Sequence, residues 1–460
     1  MNSNLDDRSA PTPGALSATT TRPASARLPR VLGTWSATAV VAGAIVGASI
    51  FRVPATVASE VGGGGAILAL WVLGGLIALA GALSLAELAA AFPSTGGMYV
   101  FLRETYGPWA AFLFGWAMLV VNPASYAGLA LLFAQSLALL VPALREWERA
   151  VAAASLVLLV VINVRPVRVG AFVLNATTWL KIGALFVLSA AAIAFVSPDA
   201  GAAPRAYGFA PDSWSGFGLA LILVMGAYDG WQWVPQLAGE VKDPARTLPR
   251  AIVFGVLAVI GLYLAANVSN LVALAPAELT GSSLVTADLA TRTFGSFGTA
   301  FAALLVITAT FSSNQSGMMT DPRVLLAMAE DGLFFRSVAQ LHPRHKTPWV
   351  AVVLIGAAAI VYLFVRGFDE LIATLILGMW PFLALSVAAV IVERRRRPQL
   401  PRPFRVPLYP FVPLFFLAAC AGIFANSFWE QPAFTWINLG VLAAGLPVYW
   451  IWNARATRRR

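Results

Sequence analysis

Apolar stretches long enough to cross a bilayer recur along almost the whole chain, and they constrain its fold more than any other feature. A transmembrane helix needs about 20 mostly apolar residues. Such stretches lie near 31–59, 65–92, 107–142, 148–164, 169–196, 214–239, 250–275, 295–329, 348–365, 370–392, 408–428 and 433–452. Charged residues make up only 11% of the chain, against about a quarter in soluble domains. The sequence predicts an all-α polytopic membrane protein of about twelve helices, numbered here as spans 1 to 12.

The basic residues are unevenly divided between the loops. If both ends lie in the cytoplasm, 24 of the 31 Lys and Arg residues fall in cytoplasmic segments and five in external loops. Because cytoplasmic loops carry an excess of Lys and Arg, both termini are predicted to be cytoplasmic. The Ala- and Arg-rich composition indicates a bacterial protein, so the predicted location is the bacterial inner membrane. Residues 1–30 are predicted to be a disordered tail, 31–452 the membrane domain and 453–460 a basic tail.

Several classes of function are excluded by residues that the chain lacks or places apart. The net charge of +10 comes from short loops between apolar runs, so the lipid bilayer is expected as partner and nucleic acid is not. His342 and His345 share one cationic loop, so no metal is predicted. No GxxxxGK[ST] motif occurs, so transport would run on gradients or exchange. No HExxH and no paired catalytic groups are found, so neither an enzyme nor a cofactor is predicted.

Two spans are interrupted by small residues. Span 1 contains GAIVGAS (Gly43–Ser49) and span 6 contains GAYDG (Gly226–Gly230), which are equivalent positions if spans 1–5 and 6–10 are repeats. Glycine costs about 1 kcal/mol relative to alanine in a helix interior. Paired Gly-interrupted spans point to a transporter's binding site at the bilayer midplane. The alternative is close helix packing through a small-xxx-small face such as Gly43-xxx-Gly47.

Lys181 is the most unusual single residue. It lies midway through span 5, where a lysine costs about 2.5–3.5 kcal/mol on insertion scales. The middle of a span is too far from the interface for the side chain to reach water. A functional cation and a buried structural ion pair are the two interpretations.

Several motifs, in the right order, resemble those of the L-type amino acid transporters, in the amino acid–polyamine–organocation superfamily. They are GAIVGASIF (Gly43–Phe51), the run from LAELAAAFPSTGG to FLFGW (Leu85–Trp116), NPAS (Asn122–Ser125), AYDGW (Ala227–Trp231), GEVKDPARTLP (Gly239–Pro249) and LHPRHKTP (Leu341–Pro348). The resemblance implies a 5+5 inverted repeat with broken helices 1 and 6, two further C-terminal helices, alternating access and an amino acid substrate. Helices 1–5 would cover about 31–196, helices 6–10 about 214–392 and helices 11–12 about 408–452.

The resemblance also implies a binding site at the two broken helices. Free N–H groups at the start of a half-helix suit a carboxylate, and free carbonyls at the end of the preceding half suit an ammonium. The backbone of Gly47, Ala48 and Ser49 would bind the carboxylate. The carbonyls of Ile45, Gly226, Ala227 and Asp229 would bind the ammonium. The predicted site also includes Val46 and Tyr228, and possible gate or lining residues are Asn122, Ser125, Trp231, Gln232 and Trp380.

By the same resemblance, Lys181 would replace the cation of sodium-coupled relatives. It would hold the carbonyls of the first break and contact a hydroxyl of span 8, either Ser312 or Ser313. This role predicts transport that does not depend on sodium. A disulfide-linked heavy chain, typical of animal members, is not expected, because the only cysteine is Cys420 in an apolar run.

Three features depart from the family pattern. Gly47-Ala48-Ser49 replaces Gly-Ser-Gly, which moves one hydroxyl but keeps the backbone N–H groups. Gly226 stands where many relatives have an aromatic lid, so we expect either a wider cavity or closure by Tyr228, Trp231 or Trp380. Asp321-Pro322 replaces a Ser-Ser pair in span 8, so we expect a kink at the proline and an ion pair between Asp321 and Arg323.

Two further acidic residues have alternative interpretations. Asp229 could recognise a basic substrate side chain or pair with Arg52. Glu87, near the inner end of span 2, is predicted to be structural or gating, and the run Arg394–Arg397 to be a topology anchor. The predicted function is sodium-independent amino acid exchange. The alternatives are proton-coupled symport, with Asp229, Asp321 or Glu87 titrating, and a non-transporting amino acid receptor.

Overall fold

The computed structural model describes residues 28–196, 214–365, 368–430 and 432–457. Within these ranges all regular structure is helical, apart from an isolated bridge between Leu32 and Val241. Most of the predicted N-terminal tail, residues 1–27, lies outside the described residues, as does the end of the C-terminal tail, residues 458–460.

The first half of the chain forms eight α-helices that account for spans 1 to 5. They are α1 (Thr34–Ile45) and α2 (Ser49–Val61) in span 1, α3 (Gly64–Ala91) in span 2, the short loop helix α4 (Met98–Tyr106), α5 (Pro108–Val120) and α6 (Pro123–Leu140) in span 3, α7 (Glu148–Val164) in span 4 and α8 (Val167–Phe195) in span 5. A 3-10 helix, Pro142–Trp147, joins α6 to α7.

The second half forms spans 6 to 12. Its helices are α9 (Trp214–Ala227), α10 (Pro244–Ala273), α11 (Pro276–Gly281), α12 (Val285–Phe294), α13 (Phe297–Thr320), α14 (Pro322–Glu330), α15 (Trp349–Val365), α16 (Phe368–Arg396), α17 (Phe411–Glu430), α18 (Pro432–Ala443) and α19 (Gly445–Thr457). Span 6 continues after α9 as a turn and a 3-10 helix, Val234–Glu240, and another 3-10 helix covers Arg336–Ala339. The two loop helices α11 and α12 were not predicted.

The helices agree with the predicted membrane class. Among the described residues, eight segments are long and apolar enough to cross a bilayer, and α1 with α2 forms a ninth, bent by 44°. The helices α9, α15 and α16 occupy the positions of predicted spans 6, 9 and 10. The prediction of an all-α polytopic fold is therefore confirmed.

Helix packing follows the predicted repeat, in which each span corresponds to the one five places later. Spans 2 and 7 pack together through α3 and α10, spans 3 and 8 through α6 and α13, and spans 4 and 9 through α7 and α15. Contacts between non-equivalent spans also come in related pairs, because α8 packs on α13 (spans 5 and 8) and α16 packs on α6 (spans 10 and 3). This arrangement surrounds the broken span 1 with α8, α10 and α13.

Spans 3 and 8 carry a second pair of interruptions. Helix α6 begins at Pro123 after the junction residue Asn122, and α14 begins at Pro322 after Asp321. Proline has no N–H group and favours the first turn of a helix. Helix α14 begins at Pro322, where a kink was predicted, but Phe297–Glu330 still forms a single span and the kink stays a prediction. The equivalent junction at Pro123 was not predicted.

Candidate functional site

The break in span 1 exposes the start of a half-helix. Helix α1 ends at Ile45 and α2 begins at Ser49, and between them the Gly47 N–H donates to the Ile45 carbonyl at 2.7 Å. The first N–H groups of a helix have no acceptor within it. Ala48 and Ser49 therefore present donors at the positive end of α2, where an anion is favoured.

Lys181 reaches the other side of the same break. Its side chain is 0% exposed, and Nζ donates to the carbonyls of Gly43, at 2.8 Å, and of Val46. The Ser313 hydroxyl lies 3.4 Å from both of these carbonyl oxygens, whereas Ser312 instead bonds Thr178 at 3.1 Å. No ion pair among the described residues includes Lys181, so its partners there are backbone carbonyls and not a carboxylate.

A tyrosine of span 7 joins the two breaks. The buried Tyr263 hydroxyl is 2.9 Å from the Ile45 carbonyl and 3.1 Å from the Ala227 carbonyl. The hydroxyl has one hydrogen, so it donates to one of these carbonyls at a time. The Ile45 oxygen also accepts the Gly47 N–H. The predicted contact of the Ile45 and Ala227 carbonyls with a substrate ammonium stays a prediction, and Tyr263 was missed by sequence reasoning.

The break in span 6 is stabilised by the Gln232 side chain, and it packs closely against the break in span 1. The Gln232 amide donates to the Asp229 carboxylate at 2.8 Å and accepts the Gly230 N–H at 3.0 Å. Gly230 has φ +124°, and a Cβ there would lie 2.7 Å from the carbonyl carbon of Ala44. Only glycine lets the two breaks approach so closely. Arg52 is exposed, and its predicted partnership with Asp229 stays a prediction.

A cavity of about 240 Å³ lies between the two breaks and spans 3, 8 and 10, and we call it the central cavity. Its lining includes Ile45, Gly47, Ala48 and Ser49 from span 1, Asn122, Ser125 and Tyr126 from span 3, Gly226, Asp229, Gly230 and Trp233 from span 6, Ser313, Asn314, Gly317 and Asp321 from span 8, and Met379 and Trp380 from span 10.

Five residues predicted for the site do not line the central cavity: Val46, Ala227, Tyr228, Trp231 and Gln232. Tyr228 packs against Trp71 and Tyr263, with ring centroids 5.9 and 5.1 Å away. Trp231 packs edge-on against Phe416 and over Gly81, towards spans 2 and 11. The suggestion that Tyr228 or Trp231 closes the cavity is therefore wrong here. Trp380 lines it as predicted, and Trp233 lines it unpredicted.

The predicted ion pair between Asp321 and Arg323 is wrong. The Asp321 carboxylate accepts hydrogen bonds from the Asn122 amide and the Tyr126 hydroxyl, and from Thr320 at 3.1 Å. Arg323 instead pairs with Glu240 at 2.8 Å, and both side chains of that pair are 1% exposed. The reason is helical geometry, because residues two apart point to opposite sides of a helix.

Two sequence signals could have placed Asp321 in the site. Asn122-Pro123 and Asp321-Pro322 put a short polar residue before a proline at equivalent points of spans 3 and 8. In addition, Asn314, Gly317 and Asp321 are spaced as i, i+3 and i+7, which places them on one helix face. The two junctions meet directly through the Asn122–Asp321 hydrogen bond.

Comparison with known proteins decides the family. Residues 32–451 match the family described as amino acid permease. The chain belongs to that family. The match covers nearly all the described helices, including both breaks and the whole central cavity.

Individual relatives of the permease carry names of exchangers and transporters. It is 30% identical to the serine/threonine exchanger SteT of Bacillus subtilis (strain 168) over 429 residues, which is 92% of this chain and 97% of the relative. It is 28% identical to the cystine/glutamate transporter of Homo sapiens, covering 90% of this chain and 84% of the relative. It is 30% identical to the large neutral amino acids transporter small subunit 2 of Homo sapiens, covering 92% of this chain and 80% of the relative.

Charged residues outside the cavity fix helices of the permease to one another. Glu87, at the end of α3, bonds Arg394 of α16 at 2.6 Å, Arg402 at 3.3 Å and the Val406 N–H at 2.7 Å. This supports the structural interpretation of Glu87. Arg397 contacts Glu104 of α4 at 3.4 Å, so the basic run also holds a loop helix.

The Tyr263 bridge gives a testable prediction. Tyr263→Phe removes the one hydroxyl hydrogen that two buried carbonyls share, and a buried group left unsatisfied costs about 1–3 kcal/mol. We expect at least a tenfold loss of uptake in proteoliposomes, which corresponds to about 1.4 kcal/mol. Tyr106→Phe is the control, since it removes a similar bond, to the Leu385 carbonyl at 2.9 Å, away from the cavity. Equal effects of the two changes would contradict a role in joining the breaks.

Proposed function

We propose that the permease is a sodium-independent amino acid exchanger that works by alternating access in the bacterial inner membrane, with both termini in the cytoplasm. The relatives named as an exchanger and as amino acid transporters support the substrate class. The substrate carboxylate would bind the N–H groups of Ala48 and Ser49 at the start of α2. The ammonium would bind the Gly226 carbonyl and the Asp229 carboxylate across the central cavity.

The observation that carries this proposal is the contact of Lys181 with the first break. In transporters with broken helices, carbonyls freed by the break are the groups that coordinate a coupling sodium ion. Here the carbonyls of Gly43 and Val46 already accept hydrogen bonds from the Lys181 ammonium, and the Ser313 hydroxyl lies beside them. A sodium ion at this place would meet a fixed positive charge, so the tethered ammonium would act in its stead.

Proton-coupled symport is the second candidate, and a specific observation favours it. Asp229 and Asp321 both line the central cavity, and neither belongs to an ion pair among the described residues. A buried carboxylate without a cation is costly in its charged form. Uptake of a proton together with substrate would remove that cost, so either residue could couple transport to a proton gradient.

The proposal includes one transport domain over residues 31–452 and no disulfide-linked heavy chain. Cys420 is the only cysteine of the chain, and it is 2% exposed on α17. A disulfide to another chain needs a sulfur that the partner can approach. Purification of the permease alone should therefore retain the activity described next.

Uptake of labelled amino acids into proteoliposomes tests the proposal. Vesicles are preloaded with unlabelled amino acid or with buffer, and uptake is measured in sodium, in sodium-free choline and with an imposed pH gradient. We expect preloading to stimulate uptake at least about tenfold, with equal rates in sodium and choline. Vesicles without protein provide the background.

Three other outcomes would each point elsewhere. Loss of uptake in choline would contradict the role of Lys181 as a tethered cation. Uptake that needs no preloading but follows the pH gradient would support proton coupling. Binding of amino acids to the purified protein without any uptake would support a receptor.

A further inference from the structure

The central cavity has an acidic end on span 8. Asp321 is 1% exposed and lines the cavity, and its carboxylate is oriented by Asn122, Tyr126 and Thr320. An ionised carboxylate offers about four acceptor positions. Three are filled by these donors, so the group is fixed in place and retains capacity for one more.

The charged groups that line the cavity are negative among the described residues. The described part of the lining contains two carboxylates, Asp229 and Asp321, and no lysine or arginine. Lys181 bonds backbone carbonyls, and Arg323, two residues from Asp321, pairs with Glu240. An amino acid zwitterion brings one ammonium and one carboxylate. If its ammonium pairs with Asp229, the Asp321 carboxylate is left without a positive partner.

A second polar group of the cavity lining, nearer the first break, also lacks a donor. Asn314 is 2% exposed and lines the cavity, and its Oδ1 has no hydrogen-bond partner among the described residues. The orientation of the amide is settled by its other end, where Nδ2 bonds the Tyr126 carbonyl at 3.1 Å, because a carbonyl can only accept. The free atom is therefore an acceptor. Asn314 is seven residues from Asp321, about 10 Å along the helix, so it offers a free acceptor between the first break and the Asp321 carboxylate.

We propose that the central cavity binds a cationic amino acid, with the ammonium or guanidinium of its side chain held by Asp321. This inference rests on the proposed amino acid site at the two breaks.

The position of Asp321 favours a long side chain. Ser313 lies at the level of the first break, where its hydroxyl approaches the carbonyls of Gly43 and Val46. Asp321 is eight residues further along span 8, which is about 12 Å at 1.5 Å per residue. A substrate with its backbone at the break reaches Asp321 only through an extended side chain such as that of lysine or arginine.

Binding of matched substrate pairs to the purified, full-length permease tests the inference. Arginine is compared with citrulline, and lysine with norleucine, because each pair has nearly the same shape and differs by one positive charge. We expect each cation to bind at least about 30-fold more tightly than its neutral counterpart, as for a buried charge pair. Asp321→Asn should remove most of this difference.

Asp243→Asn is the control, since this carboxylate is exposed and lies outside the cavity lining. It should leave both preferences unchanged. Equal affinity of the wild-type protein for arginine and citrulline would overturn the inference without touching the proposed function, and this comparison needs no variant. A cation preference that survives in a folded Asp321→Asn protein would also overturn it. If neither cationic nor neutral amino acids bind, the proposed function itself fails.

Discussion

Lys181→Met should lower amino acid uptake by at least about 100-fold while leaving the protein folded. The change removes two hydrogen bonds from a charged donor to the carbonyls of Gly43 and Val46. Such bonds contribute about 1.5–3 kcal/mol each, and a loss of about 2.7 kcal/mol corresponds to 100-fold. The unfolding temperature should change little, because the cost of burying a charge is removed together with its bonds. Uptake and thermal unfolding are therefore measured on the same preparation.

Leu180→Met is the matched control for this change. Leu180 precedes Lys181 on α8 but is 61% exposed on the outer surface of the helix. The Leu180→Met change should leave both uptake and the unfolding temperature unchanged. Uptake by Lys181→Met within threefold of wild type would show that the ammonium is dispensable.

Breaking the buried pair of Arg323 and Glu240 should destabilise the permease by about 3–5 kcal/mol, because one partner is left as an uncompensated buried charge. The pair joins α14 of span 8 to the end of span 6, and the Glu240 carbonyl also accepts the N–H groups of Val31 and Leu32 at 2.9 Å. Glu240→Ala should therefore lower the unfolding temperature substantially. A thiol-reactive fluorophore can report the unfolding, because Cys420 is the only cysteine and is buried.

Two controls separate the ion pair from its surroundings. Glu278→Ala breaks the exposed pair with Arg292 at 3.1 Å and should cost at most about 1 kcal/mol. The double change Arg323→Met with Glu240→Leu should recover most of the lost stability, as apolar replacements of buried pairs often do. Recovery is favoured here because Nε and Nη1 of Arg323 have no acceptor among the described residues. A double variant no more stable than Glu240→Ala would contradict the assignment.

Features of the fold that arise from local composition could be predicted from the sequence. Apolar runs of about 20 residues located the spans, because backbone groups in lipid must bond within a helix. Small residues in GAIVGAS and GAYDG located both breaks, because little there protects a helical turn. The position of Lys181 in the middle of a span indicated only that it must find partners nearby, and the family resemblance pointed to the carbonyls of the first break, which it does contact.

Features that depend on the angle between helices could not be predicted. Tyr263 looks like any aromatic residue of an apolar helix until α10 is packed against α1 and its hydroxyl meets both breaks. Trp231 and Trp233 are two residues apart and point in different directions, so only the turn after α9 decides that Trp233 lines the cavity. The placement of Asp321, in contrast, could have been predicted. Its spacing of two residues from Arg323 excludes the predicted ion pair, and its spacing of seven residues from Asn314 places both on one helix face.

The tethering of Lys181 also determines what can power transport. Since the ammonium belongs to α8, it returns to its starting position after every cycle and carries no charge across the bilayer. In the proposed exchange, without proton coupling, the electrical work of a cycle then depends only on the two amino acids exchanged. One elementary charge crossing 100 mV corresponds to about 2.3 kcal/mol, or about a 50-fold concentration ratio. Import of a cationic amino acid against export of a neutral one would therefore be driven by the membrane voltage, and an exchange of two neutral amino acids would not.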